Sequence, residues 1–398
     1  MRVCIIAYTF YEVDFRVRRY ADALMSAGYD VDVFALRRRG QKKRESLNGV
    51  NIYHLQEREY NEKGLRSFLF RMITFCLRVL FITSLKYLKS RYQIIHVHNP
   101  PDFLIFSVFL PKLLGAKVIF DMHENLPEFY CAKFGRDPDT FWVKVLLVVE
   151  KISTRFADSV IVAHDLLRER IIKRDGIKGG TCIALLNYPQ ISLFSGTSEK
   201  VEENGIRIVY PGTISYQHGI DIALKAMAIV KKEHKDIKLD IYTRSENSEY
   251  YKKLVGMIND LGLNRCVTFF EAVPIEELGK ILSKATMGIV PKRGGIFGSE
   301  AFSTKILEFM AAGLPTIVSR TKIDEYYFDP SVVMFFEPED HMALARCILE
   351  LFRNPERRET LAKKGREFIE KNNWEIKSQI YFDIVNDLVG TTKSQEIK

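Results

Sequence analysis

The chain has 398 residues, 47% hydrophobic and 27% charged, a globular balance that excludes a wholly disordered chain and favours two domains. Its formal net charge of +9 points to an acidic partner: nucleic acid, an anionic membrane or a phosphorylated ligand. The excess is confined to the first half, since residues 1–190 hold 30 Lys and Arg against 20 Asp and Glu, and residues 191–398 hold 29 against 30.

Val3–Ala7 predicts a strand, too short and too soon followed by Asp14 and Arg16 to be a signal peptide. A helix over Phe15–Ala27 ends at Gly28, and strands follow at Val31–Ala35 and Val50–His54. Basic residues cluster at Arg37, Arg38, Arg39, Lys42, Lys43 and Arg44, and again between Lys63 and Arg91, where seven basic residues meet no acid. The second cluster lies on a predicted helix, Leu65–Lys89, whose Phe68–Leu85 stretch is nearly continuous in Phe, Leu, Ile and Val. Arg71 and Arg78 would each cost about 2.5–3.5 kcal/mol at a bilayer centre. The helix is therefore expected to lie in the interface, with Arg66, Arg71, Arg78 and Lys86 reaching anionic head groups.

Strand Ile94–His98, helix Asp102–Leu114, strand Lys117–Phe120, helix Thr140–Phe156, strand Ser159–Val162, helix Leu166–Lys173 and strand Cys182–Leu186 complete the first half. Residues 187–205, rich in Ser, Glu, Asn, Gly and Pro, read as a linker. The alternation restarts with strands at Ile206–Tyr210, Lys238–Tyr242, Val267–Phe270, Met287–Val290, Thr316–Val318 and Val332–Phe335. Helices are expected near Ile220–Lys232, Ser248–Leu261, Ile275–Ser283 and Ser303–Ala312, and over Met342–Arg353, Pro355–Glu370 and Trp374–Val389. Strands alternating with helices imply an α/β chain of two doubly wound parallel sheets, with a ligand cleft expected between their carboxyl ends. The domains are expected at 1–190 and 191–373, with helix 374–389 returning to the first.

The six cysteines form no CxxC pair, so a reduced compartment is expected, and no Cys/His cluster has zinc-ligand spacing. Asp30-Val31-Asp32 and Asp137-Pro138-Asp139 match an Asp-x-Asp metal pattern. The first reads better as a strand entry with both carboxylates on one solvent-facing side, and the second as a turn and helix cap. No tightly bound metal or cofactor is expected.

Gly294–Pro315 is the most informative segment. Three glycines approach a helix that Ser303 or Thr304 can cap, and free amides at a helix start suit a phosphate or diphosphate. Carboxylates cannot hold phosphate, so Glu300, placed just before the helix, and Glu308, inside it, suit sugar and ribose hydroxyls. His96, His98 and His123 fall at predicted strand ends, where an open α/β sheet places its site. His123 beside Glu124 is read as functional, His98 is left open between site and loop support, and His96 is expected on the opposite face.

Glu300, seven residues and then Glu308, followed by Phe309-Met310-Ala311-Ala312-Gly313-Leu314-Pro315, resembles the signature of retaining glycosyltransferase family four, of the GT-B fold. Asp14-Phe15-Arg16-Val17, the Ile95–His98 strand end, Asp121-Met122-His123-Glu124 and the Trp374 helix extend the resemblance over most of the chain. It implies that Glu300 contacts the donor sugar and that Glu308 binds the ribose. It also implies that amides around Ala301, Phe302 and Ser303 hold sugar or diphosphate, and that His123 lines the sugar. The family's Arg and Lys phosphate clamp is absent: in the segment from Tyr210 through Gly212 to Gly219, Thr213 and His218 stand in those places. Arg244, Lys292, Arg293, Lys305 and a protonated His218 are the candidate replacements, with Lys305 and Arg293 favoured. The family's N-terminal glycine pair is also missing, and Tyr11, Glu12, Asp14 and Arg16 stand there.

The resemblance implies a retaining hexosyltransferase using a nucleotide-diphosphate sugar, UDP favoured over GDP. A front-side displacement is expected, in which the departing diphosphate takes the acceptor proton. The expected acceptor is a glycan, lipid-linked, in surface polysaccharide or glycoconjugate assembly. The expected location is cytoplasmic, peripheral at the inner face of the cytoplasmic membrane. The alternatives are a sugar-nucleotide epimerase or soluble disaccharide-forming transferase of the same fold, and a non-catalytic nucleotide-sugar-binding membrane adaptor. Nucleic-acid binding lacks any accompanying motif.

Overall fold

The computed structural model describes residues 1–58, 65–135, 137–194, 205–244 and 248–390, without the side chains of residues 65, 66, 132–134, 296 and 297. Arg66 and part of the expected linker, residues 195–204, therefore lie outside the described groups. The chain divides into two compact units, Met1–Asn187 with Ser378–Lys398, and Tyr188–Lys377.

The first unit is built on β1 (Arg2–Ala7), β2 (Asp30–Arg37), β3 (Arg44–Leu47), β4 (Val50–Glu57), β5 (Ile94–His98), β6 (Lys117–Met122), β7 (Ser159–Val162) and β8 (Cys182–Ala184). Their spatial order is β3-β4-β2-β1-β5-β6-β7-β8. Every pair is parallel except the β3–β4 hairpin. The central strands are buried because helices cover both faces, and apolar apart from Arg2 of β1 and the two histidines of β5: Val3 to Ile6 and Ile94 to Val97 are inaccessible. The second unit carries β9 (Ile206–Pro211), β10 (Ile237–Thr243), β11 (Val267–Glu271), β12 (Met287–Val290), β13 (Thr316–Ser319) and β14 (Met334–Phe336). All are parallel, in the order β11-β10-β9-β12-β13-β14. Strand order reverses between β1 and β5 in one sheet and between β9 and β12 in the other, the switch points at which such sheets hold ligands.

Helix Leu65–Lys89 packs one stripe, Met72, Phe75, Val79 and Tyr87, into the first core. Burying each such side chain contributes about 1.5–3 kcal/mol. The opposite stripe, Phe70, Ile73, Leu77, Phe81, Leu85 and Leu88, recurs every three or four residues and is exposed. Residues Ser67–Lys89 are long and apolar enough to cross a membrane by length and composition.

Two expectations are corrected by this helix. Asp32 does not face solvent: the helix covers its side of β2, and the buried carboxylate takes Tyr92 Oη at 2.6 Å, Lys86 Nζ at 2.9 Å and Arg2 at 3.1 Å. Only Asp30 of that pair is exposed. Lys86 accordingly does not reach outward, because helical periodicity places it on the sheet face, where its ammonium also lies 3.8 Å from the Tyr53 ring centre. Arg78 stays exposed while donating to the Leu55 carbonyl at 2.9 Å.

Some elements were not foreseen. Asn48 and Gly49, both at positive φ, close the β3–β4 hairpin. The helix expected over Asp102–Leu114 is a 3₁₀ helix, Asp102–Val108, continued by a short α-helix, Phe109–Leu113, whereas the helix Leu126–Phe134 was not expected. The last helix, Trp374–Val389, starts in the second unit, where the Trp374 amide donates to Pro189 O, and ends in the first.

Candidate functional site

At the carboxyl end of the first sheet, β5 and β6 bring His98 and Asp121 into register. His96 does not point away. Residues two apart in a strand share a face, and the His96 and His98 rings stack with centres 4.2 Å apart. His123 stacks coplanar on His98, at 5.6 Å between centres. The Asp121 carboxylate faces all three imidazoles, with Oδ2 3.0 Å from His123, 3.3 Å from His98 and 3.5 Å from His96. Burial alone would raise that carboxyl, but the facing imidazoles outweigh it and hold it well below the usual range. Burial lowers both His98 and His123.

Asn99, unmarked in the sequence, fixes the turn that presents His123. Its side-chain oxygen accepts from the His123 amide at 2.7 Å and the Glu124 amide at 3.2 Å, and its amide donates to Glu124 O at 2.8 Å. Glu124 is half-buried. Arg16 grips both oxygens of Asp14 at 3.2 Å. Burial opposes the Asp14 charge, but Arg16 and then His123 outweigh it and keep the carboxyl below its ordinary value. Asp14, Arg16 and His123 thus act on one another electrostatically.

In the second unit the chain leaves β9 at Gly212, whose φ of +138° glycine tolerates and whose amide donates to Tyr242 O at 2.8 Å. A β-carbon there would overlap the Lys305 side chain, which rises from the first turn of helix Thr304–Ala311. Lys305 Nζ lies 5.4 Å from the Tyr210 ring centre. Among the described residues, no hydrogen bond or ion pair engages that ammonium. Burial lowers Lys305, with Glu308 opposing, and raises Glu308, with Lys305 opposing.

The other candidate cations are differently placed. His218 is not a cation: burial, with Lys305 and Lys292 adding, lowers it to about 4, and Nδ1 faces Ser215 Oγ at 2.8 Å. Arg293 is buried, ion-paired to Asp221 and stacked 3.9 Å from the Tyr216 ring centre, and Tyr250 Oη donates to the same Asp221 at 2.7 Å. Lys292 is matched by Asp324 at 2.8 Å and donates to Ala301 O at 2.8 Å, which anchors the turn between the two Glu-bearing segments. Thr213 and Arg244 are exposed at the ends of their strand-to-helix loops.

The expected glycine loop before Glu300 is instead a short helix, Gly295–Glu300, and Glu300 is its last residue, half-buried. Ala301, Phe302 and Ser303 bridge to the next helix. Phe302 packs edge-on against Tyr327 at 5.2 Å, and Ser303 holds the cap position through its backbone, without a side-chain cap bond among the described residues.

Comparison with known proteins agrees with this arrangement. The family model for glycosyl transferases group 1 matches residues 197–368, and that for the glycosyl transferase 4-like domain matches residues 13–182. An uncharacterized glycosyltransferase of Methanocaldococcus jannaschii is 27% identical over 168 residues, and the match spans 42% of this chain and 44% of that one. The sucrose-phosphate synthase of Thermosynechococcus elongatus superposes with a TM-score of 0.81 at 20% identity, over 98% of this chain and 100% of that one. The Anabaena protein HepE, in complex with UDP and glucose, superposes with a TM-score of 0.73 at 14% identity, over 97% and 99%. The two family models together take in most of the chain, and the chain belongs to the family-four glycosyltransferases of the GT-B fold.

Proposed function

We propose that the protein is a retaining hexosyltransferase that moves a sugar from a nucleotide-diphosphate donor to a glycan acceptor held on a lipid at a membrane surface. The observation that carries the donor half is the pairing of Lys305 with the Gly212 turn: an ammonium without a hydrogen-bonding partner among the described residues stands at the switch point of the second sheet. A desolvated cation there stabilises the negative charge that grows on a departing diphosphate. Lys305 thus takes over the role that the family's Arg and Lys fill, while Arg293 and Lys292, balanced by Asp221 and Asp324, shape the pocket from behind.

In this reading the ribose hydroxyls donate to Glu308. Glu300 accepts from the sugar hydroxyls and sets the reacting carbon, and amides of Ala301 to Ser303 hold the phosphate side. Gly212 and Thr213 line the donor, His218 acts as a neutral hydrogen-bonding group, and Arg244 flanks the nucleotide. UDP is favoured over GDP because HepE was solved with UDP and glucose. His123 lines the sugar, and Asp14, Arg16, His98 and Glu124 serve the acceptor side. The acceptor hydroxyl attacks from the face that the diphosphate leaves, the diphosphate takes its proton, and configuration is retained. The protein contributes position and charge.

Exposed Phe70, Leu77 and Phe81, in a sequence stretch that also carries Arg66, Arg71 and Arg78, favour attachment to an anionic lipid surface and a lipid-linked acceptor, as in surface polysaccharide or glycoconjugate assembly. We place the enzyme in the cytoplasm, peripheral at the inner face of the cytoplasmic membrane. A soluble disaccharide-forming transferase is the second reading, favoured by the likeness to a sucrose-phosphate synthase. A nucleotide-sugar screen by thermal shift, followed by turnover with lipid-linked and soluble acceptors, separates the two. Glu300→Ala abolishes transfer while nucleotide binding survives; full activity in that variant would sink the assignment.

A further inference from the structure

The carboxyl ends of β5 and β6 carry a buried donor set of which the proposed transfer leaves His96 and Asp121 without a role. His96 and His98 from β5 and Asp121 from β6 are buried together, and each offers one ligand atom within 4.8 Å of the others. Three features mark the cluster as more than a packed core. Its spacing suits a metal: with bonds of about 2.0–2.1 Å, neighbouring ligands of a tetrahedral zinc lie about 3.3 Å apart. Asp121 Oδ2 stands 3.3 Å from His98 Nδ1 and 3.5 Å from His96 Nε2. His123 Nε2 stands 3.0 Å from the same oxygen and 3.3 Å from His98 Nδ1, where a fourth ligand would be.

The buried polar atoms also have imperfect partners. Asp121 Oδ1 and Oδ2 and His96 Nε2 make no hydrogen bond of good geometry among the described residues, and Oδ2 is engaged by the facing imidazoles at ion-pair distance. A divalent ion would balance that buried charge directly. Finally, His96 Nδ1 is held by the Tyr381 hydroxyl at 3.1 Å, the second-sphere contact that fixes the tautomer and ring of a metal-bound histidine.

We propose that His96, His98 and Asp121 bind one zinc-class divalent cation, with His123 Nε2 at the fourth position, and that the ion ties β5 to β6 beneath the His123 turn. The Asp-x-Asp patterns and the cysteines take no part in this site.

The test uses the full chain purified without chelator. Metal content is read by mass spectrometry, and chelator-stripped protein is titrated with Zn²⁺ and with Co²⁺, whose visible bands are strong in a tetrahedral site. The expected result is about one zinc per chain, a lower melting temperature after stripping, its recovery with Zn²⁺, and tetrahedral Co²⁺ bands. His98→Gln and Asp121→Asn should each weaken Zn²⁺ binding at least 100-fold, and Tyr381→Phe by about 10–100-fold. Glu45→Gln, in the separate Glu12, Glu45 and His54 cluster, should leave the stoichiometry at one. Purified protein with under a tenth of an equivalent, taking up neither ion at micromolar concentration, would overturn the proposal. So would zinc that survives His98→Gln but is lost in Glu45→Gln. If the ligand variants do not fold, the stoichiometry and Co²⁺ spectrum of the unaltered chain decide it.

Discussion

Lys305 occupies the space that a side chain at Gly212 would need. The glycine is therefore part of the cation's site as much as of the turn, and two substitutions should converge. Lys305→Met removes the charge and keeps the bulk, and should lower kcat about 10²–10³-fold, as loss of one charge-stabilising group does. Gly212→Ala, strained at φ +138°, should push the ammonium aside and lower kcat in the same direction. Steady-state kinetics beside a melting curve check both. A folded Lys305→Met enzyme with unchanged kcat would remove Lys305 from catalysis.

Glu308 lies one turn from Lys305, and burial raises its carboxyl while the ammonium opposes that rise. A ribose hydroxyl would give the carboxylate the hydrogen bond that favours its charged form. Glu308→Gln should weaken UDP binding by roughly 10–100-fold, the loss of about 1.5–3 kcal/mol expected for a hydrogen bond to a charged group. Calorimetry with UDP and with 2′,3′-dideoxy-UDP forms the cycle. The variant should lose little with the dideoxy ligand, and equal losses with both would place Glu308 away from the ribose.

The two alternating halves were legible because each strand is a short apolar run bounded by turn residues. Helix 65–89 and strands β5, β7 and β12 fall at the residues that periodicity gives. The β3–β4 hairpin was missed although Asn48-Gly49 is a strong hairpin signal, because charge in Arg44-Glu45 hid the strand before it. The acidic partners were not legible. Asp221, Asp324 and Asp121 each meet a cation or imidazole from another element, Asp121 meeting His96 and His98 of β5, so Arg293 and Lys292 look unengaged in sequence and are engaged in the fold. The cluster of His96, His98 and His123 escaped a metal reading for a similar reason: the carboxylate facing His96 and His98 comes from the neighbouring strand.

A second buried acidic group governs stability. Glu150 touches Arg174, yet burial dominates and raises its carboxyl to about 8, with Asp175 and Asp102 adding. Burial likewise raises Asp102 to about 7, against its Asn99 hydrogen bond. In the unfolded chain both titrate near about 4. Between those values the folded state holds more protons, so stability is full below about pH 4 for these groups and falls as pH rises through 7 and 8. The melting temperature should therefore be higher at pH 5.5 than at pH 8, and Glu150→Gln should flatten that slope. An unchanged slope in the variant would rule out Glu150 as its source.

Helix 65–89 offers two kinds of cation, and they should respond differently. Arg71 and Arg78 lie on the helix that presents exposed Phe70 and Phe81, whereas Lys86 is drawn inward by Asp32. On anionic vesicles each basic residue near the surface contributes about 1 kcal/mol. Arg71→Gln with Arg78→Gln should thus weaken co-sedimentation roughly 30-fold, and added salt should mimic the loss. Phe70→Ser with Phe81→Ser should weaken binding with little change in salt dependence, since it removes apolar insertion alone. Lys86→Gln should leave vesicle binding unchanged and lower the melting temperature, because it strips one partner from a buried carboxylate at a cost of about 1–3 kcal/mol. Vesicle binding that falls with Lys86→Gln and survives the arginine and phenylalanine pairs would move the lipid-facing surface off this helix stripe.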